Sequence, residues 1–154
     1  MNDNLSFGPA KAADAARLSK IAFSAKAYWR YPTEWLEKWR PQLTLSKSDI
    51  ANETVVKLSI GSEIVGFYML RSNAGVLWVE HLWLDPPFIG QGFGRLLFEH
   101  AIAAAREAKA SALRIESDPN AEGFYAAMGA IRIGERRSEI DGPPRVLPLM
   151  EFKL

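Results

Sequence analysis

The chain predicts an α+β (mixed α/β) fold: a central, mostly antiparallel sheet of six to seven strands, helices on both faces, and one parallel β-α-β step. Three observations carry this expectation. The apolar runs VVKLSI (55–60) and IVGFYMLR (64–71) flank the tight turn Gly61-Ser62-Glu63 and read as antiparallel partners. A helix-periodic segment at 92–108 separates the apolar runs 76–84 and 112–116, and a strand–helix–strand step of that kind lies parallel with a right-handed crossover. Two further strand-like runs, 130–140 and 146–153, follow.

Element by element, Leu5-Ser6-Phe7-Gly8 alternates and predicts a short edge strand ending at Pro9. Residues 12–27 place Ala16, Leu18, Ile21, Ala22 and Ala25 at helical spacing, with Asp14 in the first turn where the dipole favours it. Tyr28-Trp29-Arg30-Tyr31-Pro32 breaks this helix. A shorter helix follows at 33–39, with Pro32 or Thr33 near its start and Pro41 beyond its end. Residues 46–52 read as a turn or short helix. Ser72-Asn73-Ala74-Gly75 turns the chain into the run 76–84, completing a meander. The helix at 92–108 has an apolar stripe of Leu97, Ala101, Ala104 and Ala108, with Arg106, Glu107 and Lys109 in solvent. Residues 120–128 form a short helix closed by Gly129, and Gly142-Pro143-Pro144 separates the last two strands.

A chain of 154 residues is most simply one domain, 1–154, large enough for a real core. Its 48% hydrophobic and 24% charged content is ordinary globular composition. A net charge of +1 creates no field for nucleic acid or an anionic membrane. The cysteine count is 0, which excludes disulfides, thiolate catalysis and cysteine-based metal sites. It also fits a cytoplasmic protein. The start, MNDNLSFGPA, has no basic segment followed by an apolar run, so no signal peptide is expected. No apolar run approaches the roughly 20 residues that span a bilayer.

The most informative stretch is LWVEHLWLDPPFIGQGFGRLLFEHAIAAA, residues 77–105. A strand stops at Asp85-Pro86-Pro87, the turn Gly90-Gln91-Gly92-Phe93-Gly94 follows, and a helix begins. Glycines at alternate positions leave backbone N–H groups unshielded by Cβ atoms, and the helix start adds unpaired N–H groups and the positive dipole end. Such a turn binds phosphate or pyrophosphate through the main chain. It is not a P-loop, because Arg95-Leu96 stands where Lys-Ser/Thr is required. It is not the G-x-G-x-x-G fingerprint either, since Arg95 occupies the last glycine position. Glu116 at the end of a later apolar run is what remains of a nucleotide reading.

The order of elements, the stretch Leu84-Asp85-Pro86 through Gly90-Gln91-Gly92-Phe93-Gly94-Arg95, and the stretch Asn120-Ala121-Glu122-Gly123-Phe124-Tyr125 with Met128-Gly129 resemble the GNAT superfamily of N-acetyltransferases. The resemblance covers nearly the whole chain. The family's pyrophosphate loop, Gln/Arg-x-x-Gly-x-Gly/Ala, falls on Ile89, Gly92 and Gly94; Ile89 departs from the polar first position, but the grip is mostly backbone. The resemblance implies acetyl-CoA as co-substrate and an amine as acceptor; with 2 histidines and 0 cysteines, no metal is expected. It implies CoA in an opening where the fourth and fifth strands splay apart, with Leu82, Trp83 and Leu84 pairing the pantetheine arm like an added strand. Ile89, Gly90, Gln91, Gly92, Phe93, Gly94 and Arg95 would hold the pyrophosphate. The Leu82 N–H would be the oxyanion donor. Asn120 matches a pantetheine contact beside Phe124, and Tyr125 matches the acid that protonates the departing thiolate.

Acyl transfer from a thioester requires the ammonium to lose a proton and the thiolate to gain one. Glu80, inside the apolar strand WVEHLW, is the candidate base; otherwise it is a solvent-facing Glu or one paired with a neighbouring Lys or Arg. His81 points to the opposite face of a regular strand, unless a bulge reverses it, and is a substrate or catalytic candidate against a structural hydrogen bond. His100 reads as structural, and Asn120, Phe124 and Tyr125 could be a cap and two core aromatics. Trp35 and Trp39 read as a small aromatic core, whereas the resemblance implies that the segment with Trp29 and Tyr31 walls the acceptor pocket, and Tyr68 is a further candidate. Two hypotheses follow: an acetyl-CoA-dependent N-acetyltransferase for a small-molecule amine, or a peptide or protein amine, working as monomer or homodimer; or a non-catalytic acyl-CoA-binding module on the same fold. Neither involves nucleic acid or a membrane.

Overall fold

The structure, a computed structural model, describes residues 4–138 and 145–154. Its elements run β1 (Leu5–Pro9), α1 (Ala15–Ala27), α2 (Thr33–Leu43), α3 (Lys47–Asn52), β2 (Thr54–Ile60), β3 (Glu63–Asn73), β4 (Val76–Leu84), α4 (Phe93–Glu107), β5 (Ala112–Glu116), α5 (Glu122–Ala127), β6 (Ile131–Ser138) and β7 (Arg145–Lys153). The strands form a seven-stranded mixed sheet in the order β1-β2-β3-β4-β5-β7-β6. β1 is antiparallel to β2, and β2 to β3. β5 lies parallel to β4, as a crossover through a helix requires. β7 inserts between β5 and β6, antiparallel to both. The expected turn at 142–144, the end of the expected strand at 139–140 and the first residues of the chain lie outside the described residues.

The described residues fall into two compact units: Met1–Leu70 with His81–Leu97, and Arg71–Glu80 with Phe98–Leu154. In the first, Leu18, Ile21 and Ala22 of α1 and Leu58, Val65, Phe67 and Tyr68 of the sheet are wholly buried. In the second, Phe98 of α4 meets Tyr125 edge-on at 5.2 Å and Phe152 at 5.9 Å, and Leu113, Ile115 and Met150 of the sheet are buried.

Three sequence expectations need correction. Pro41 does not follow α2 but lies inside it, and the helix runs on to Leu43. Leu36, Trp39 and Leu43 lie on one helical face and are buried, so packing continues the helix past the missing N–H. The buried stripe of α4 is Leu97, Phe98, Ala101, Ile102 and Ala105, not the line through Ala104 and Ala108. The bulky Phe98 and Ile102 set the face, because alanines contribute little area to the choice. Ala16, expected on the apolar face of α1, is exposed.

Candidate functional site

The first unit carries the glycine turn. β4 ends where the Asp85 N–H donates to Val65 O at 2.9 Å. The Arg17 guanidinium of α1 donates to Asp85 Oδ2 at 2.9 Å and to Ile64 O at 2.9 Å, tying α1, β3 and the turn's entry together. A short 3₁₀ turn, Pro86–Phe88, leads into Gly90 (φ 84°) and Gly92 (φ 89°). Both are left-handed, and nothing lies within 4 Å of where a Cβ would stand on either. Gly94 is already inside α4, whose first backbone bond runs from Leu96 N–H to Gly92 O at 3.3 Å. Alternating left-handed glycines and the first turn of a 15-residue helix together present N–H groups and the positive dipole end to one anion. The turn is held rather than loose: Phe88 and Phe93 meet edge-on at 6.3 Å, and Gln91 Nε2 donates to Pro87 O at 3.1 Å. A turn of this form suits the pyrophosphate of CoA, which binds through main-chain N–H groups.

The last residues of β4 are crowded from β3. A Cβ on Gly66 would lie 2.8 Å from Leu84 Cδ2 and 2.8 Å from Trp83 O, so only glycine lets the strands approach this closely. His81 and Trp83 share a face, and Trp83 Nε1 donates to His81 Nδ1 at 2.9 Å. An indole N–H only donates, so Nδ1 is the acceptor and the neutral ring carries its proton on Nε2. His81 therefore has the structural hydrogen bond that was its alternative reading.

Among the aromatic candidates, Trp29 is 40% exposed and meets Tyr28 (48% exposed) edge-on at 5.4 Å, beside Arg30 at φ 62°. Tyr31 stacks on Trp35 at 6.1 Å and meets Trp39 edge-on at 4.8 Å, and the Lys26 ammonium lies over the Tyr31 and Trp39 rings. Tyr31 thus belongs to the small aromatic cluster with Trp35 and Trp39, whereas Trp29 faces solvent. Tyr68 is wholly buried in β3, and burial pushes its phenol well above the ordinary range.

In the second unit, the parallel ladder joins Val76, Leu77 and Trp78 to Ala112, Leu113 and Arg114. The last parallel pair is Trp78 with Arg114, while β4 continues to Leu84 and β5 to Glu116. Glu80 is exposed, with Arg71 Nε 3.8 Å from its Oε1. After β5, the turn at Ser117–Ala121 leads to α5. Asp118 Oδ1 accepts from Asn120 N at 2.8 Å and from Asn120 Nδ2 at 3.0 Å. Asp118 Oδ2 lies 3.5 Å from Arg145 Nη2. Phe124 is half-buried, and Tyr125 is 6% exposed. Burial first, and then the Asp118 charge, push the Tyr125 phenol well above its ordinary range. The phenol stays protonated through the neutral range.

Arg17, Asp118 and Arg145 were missed by sequence reasoning. The Arg17–Asp85 and Asp118–Arg145 pairs join residues 68 and 27 positions apart, and no local spacing marks them. Asp85 was visible only as a strand stop. Among the described residues no group of three His, Asp or Glu side chains is placed to hold a metal, and no helix is long and apolar enough to cross a membrane.

The chain matches the family model "Acetyltransferase (GNAT) family" over residues 20–130. It is 32% identical over 116 residues to the peptidyl-lysine N-acetyltransferase YjaB of Salmonella typhimurium, covering 74% of each chain. Among solved structures, it superposes on a GCN5-related N-acetyltransferase of Rhodopseudomonas palustris with TM-score 0.82 at 18% identity, covering 100% of this chain and 98% of that one. It also superposes on the PaiA N-acetyltransferase of Thermoplasma acidophilum, solved in complex with coenzyme A, with TM-score 0.76 at 19% identity, covering 97% and 99%. The cradle at the head of α4, the parallel step that stops pairing partway and the match across both units agree: the chain belongs to the GNAT family of acetyltransferases, enzymes that move an acetyl group from acetyl-CoA to an amine.

Proposed function

We propose that this enzyme acetylates a primary alkylamine, with the lysine ε-amine as the first acceptor to test. The observation that carries the acyl donor is the pinned turn with Gly90 and Gly92 left-handed at the start of α4. The acceptor class is supported by the relative named as a peptidyl-lysine N-acetyltransferase and by the exposed Tyr28–Trp29 pair, whose rings suit an alkyl stem or an ammonium. The family match crosses both units, which supports one acetyltransferase domain. A chain with 0 cysteines supports action in the reducing cytoplasm.

Backbone N–H groups of residues 90–95 hold the pyrophosphate, and Leu82 to Leu84 pair the extended arm. Acetyl-CoA supplies a thioester activated towards amines. Glu80 accepts the proton of the incoming ammonium, directly or through water. Its side chain is 42% exposed, which supports a role in exchanging protons with an incoming amine or with water. The Leu82 N–H stabilises the developing oxyanion, and a fixed main-chain donor adds no reorganisation cost at that moment. The Tyr125 phenol donates to the departing sulfur; its raised pKa keeps the proton in place until negative charge appears there.

The test is an amine panel with thiol-release detection: lysine-containing peptides, polyamines and aromatic amines. Turnover is expected for primary alkylamines and strongest for lysine peptides. Turnover confined to arylamines would overturn the acceptor assignment. A parallel melt with acetyl-CoA, NAD or ATP separates the donor classes, because ligand at 100 times its dissociation constant raises stability by about 2.7 kcal/mol.

A further inference from the structure

We propose that Arg114 is a specificity-determining residue for the acceptor: its guanidinium receives a carboxylate close to the reacting amine, the side chain of an acidic residue flanking the target lysine. The inference rests on the reading of lysine as acceptor and of Glu80 as the place where its amine arrives.

Register places four side chains in one row across the second unit. Trp78 of β4 stands beside Arg114 of β5, Arg114 beside Glu151 of β7, and Glu151 beside Ile131 of β6. Directly paired residues share a face of the sheet. The opposite face is the apolar one, where Leu113, Ile115 and Met150 are buried and Phe152 meets Phe98 of α4. Trp78 and Arg114 form the last pair of the parallel ladder. Glu80 lies two residues further along β4, with the buried Val79 between, so it extends from the same face as Trp78 and Arg114.

The guanidinium is held in place. Arg114 Nε donates to Glu151 Oε2 at 2.8 Å, and the guanidinium carbon lies 6.0 Å from the centre of the Trp78 ring. Glu151 is the more enclosed partner, with 15% of its side chain exposed against 35% for Arg114, so a ligand can reach the arginine. The two Nη atoms carry the other four N–H donors, and a planar fork of that shape matches a carboxylate in two parallel bonds. The charges of Arg114 and Glu151 offset each other, so selection comes from directed donors rather than from a long-range field. Glu116, the next residue of β5 on this face, is engaged by Arg136 at 2.6 Å, which offsets its charge too. A carboxylate on β4 and a guanidinium on β5 thus stand two positions apart, about 7 Å along the strands. Their complement is an amine and a carboxylate on one acceptor, a spacing that a lysine and an acidic neighbour can span.

The experiment measures kcat/KM at saturating acetyl-CoA for lysine peptides that differ only by Glu or Gln at one position, scanned on both sides of the lysine. Wild type should prefer the best-placed Glu peptide about tenfold over its Gln counterpart, through a lower acceptor KM, because a hydrogen bond between charged groups contributes more than a neutral one. Added salt should erode the preference. Arg114→Gln should bring the two peptides together, chiefly by slowing the Glu peptide. Equal rates for Glu and Gln peptides in wild type would overturn this inference and leave the lysine reading standing. A preference that survives in Arg114→Gln, or an equal loss on both peptides, would show that Arg114 does not read the carboxylate. If no lysine peptide turns over, the lysine reading itself falls, and this inference with it. Should Arg114→Gln fail to fold with Glu151 left unpaired, Arg114→Gln/Glu151→Gln removes both charges and carries the same comparison.

Discussion

Arg17 and Asp85, separated by 68 positions in sequence, meet through a 2.9 Å ion pair at the point where β4 gives way to the glycine turn. The guanidinium also caps Ile64 O, so one side chain of α1 sets both the end of β4 and the start of β3. Arg17→Met keeps the apolar stem and removes both bonds. With 31% and 19% of the two side chains exposed, the loss should be about 1–3 kcal/mol of stability, with weaker acetyl-CoA binding because the turn's entry is released. Thermal melts and calorimetry read the two effects. A variant that loses stability but keeps full affinity would show that Asp85 does not position the turn.

Gly92 tests the cradle. Space is not the constraint, since nothing lies within 4 Å of a Cβ there; φ at 89° is. Gly92→Ala should cost about 1–2 kcal/mol of strain. Gly92→Asp adds a negative charge where the pyrophosphate binds, and should weaken acetyl-CoA about tenfold or more beyond the alanine variant. Ile89→Arg should bind equally or more tightly. Unchanged affinity of a folded Gly92→Asp protein would remove the turn from the site.

Proton handling separates Glu80 from Tyr125. Glu80→Gln should lower turnover about 10²–10⁴-fold near neutral pH, with the deficit shrinking at high pH where the amine is already free. Tyr125→Phe keeps the edge-on packing on Phe98 at 5.2 Å and Phe124 at 5.1 Å, so acetyl-CoA affinity should stay near wild type while turnover falls. A wild-type pH profile for Glu80→Gln would assign the base elsewhere.

Two buried phenols predict the alkaline limit of the fold. Burial raises the pKa of Tyr68, and burial with the Asp118 charge raises that of Tyr125. A group whose folded pKa exceeds its unfolded value contributes stability fully below the unfolded pKa, here about 10, and loses it as pH climbs towards the folded one. Denaturant midpoints should hold steady up to about pH 9 and then fall, with tyrosinate absorbance from these residues appearing only with unfolding. Early, non-cooperative ionisation of all the tyrosines would contradict their enclosure.

Much of the fold was legible because it is written locally. β4 and β5 follow from apolar runs bounded by turn residues, the glycine turn from composition alone, and the parallel step from the length of the segment between the runs. Glu80 could be nominated the same way, as a carboxylate in an apolar strand; Tyr125 was nominated through the family resemblance of the Asn-x-x-x-Phe-Tyr pattern, since the pattern alone also reads as core aromatics. A Lys or Arg partner for Glu80 was an expected alternative, but which residue it is, and what charge lies beside Tyr125, could not be read locally. The Arg71 neighbour of Glu80 and the Asp118 charge beside Tyr125 are products of strand pairing and turn geometry.

By itself, the sequence determined the elements, their order and the chemistry of the turn, because hydrophobic period, glycine conformation and helix-start donors are properties of neighbouring residues. Only the tertiary structure decided that α2 runs through Pro41, that Phe98 and Ile102 choose the buried face of α4, and that β7 slips between β5 and β6. It alone also decided that Arg17 reaches Asp85 and that Arg145 reaches Asp118. Each depends on which surfaces become buried together and which distant donors and acceptors must then find one another. Burial energy and hydrogen-bond satisfaction act on the folded neighbourhood and leave little trace in local spacing.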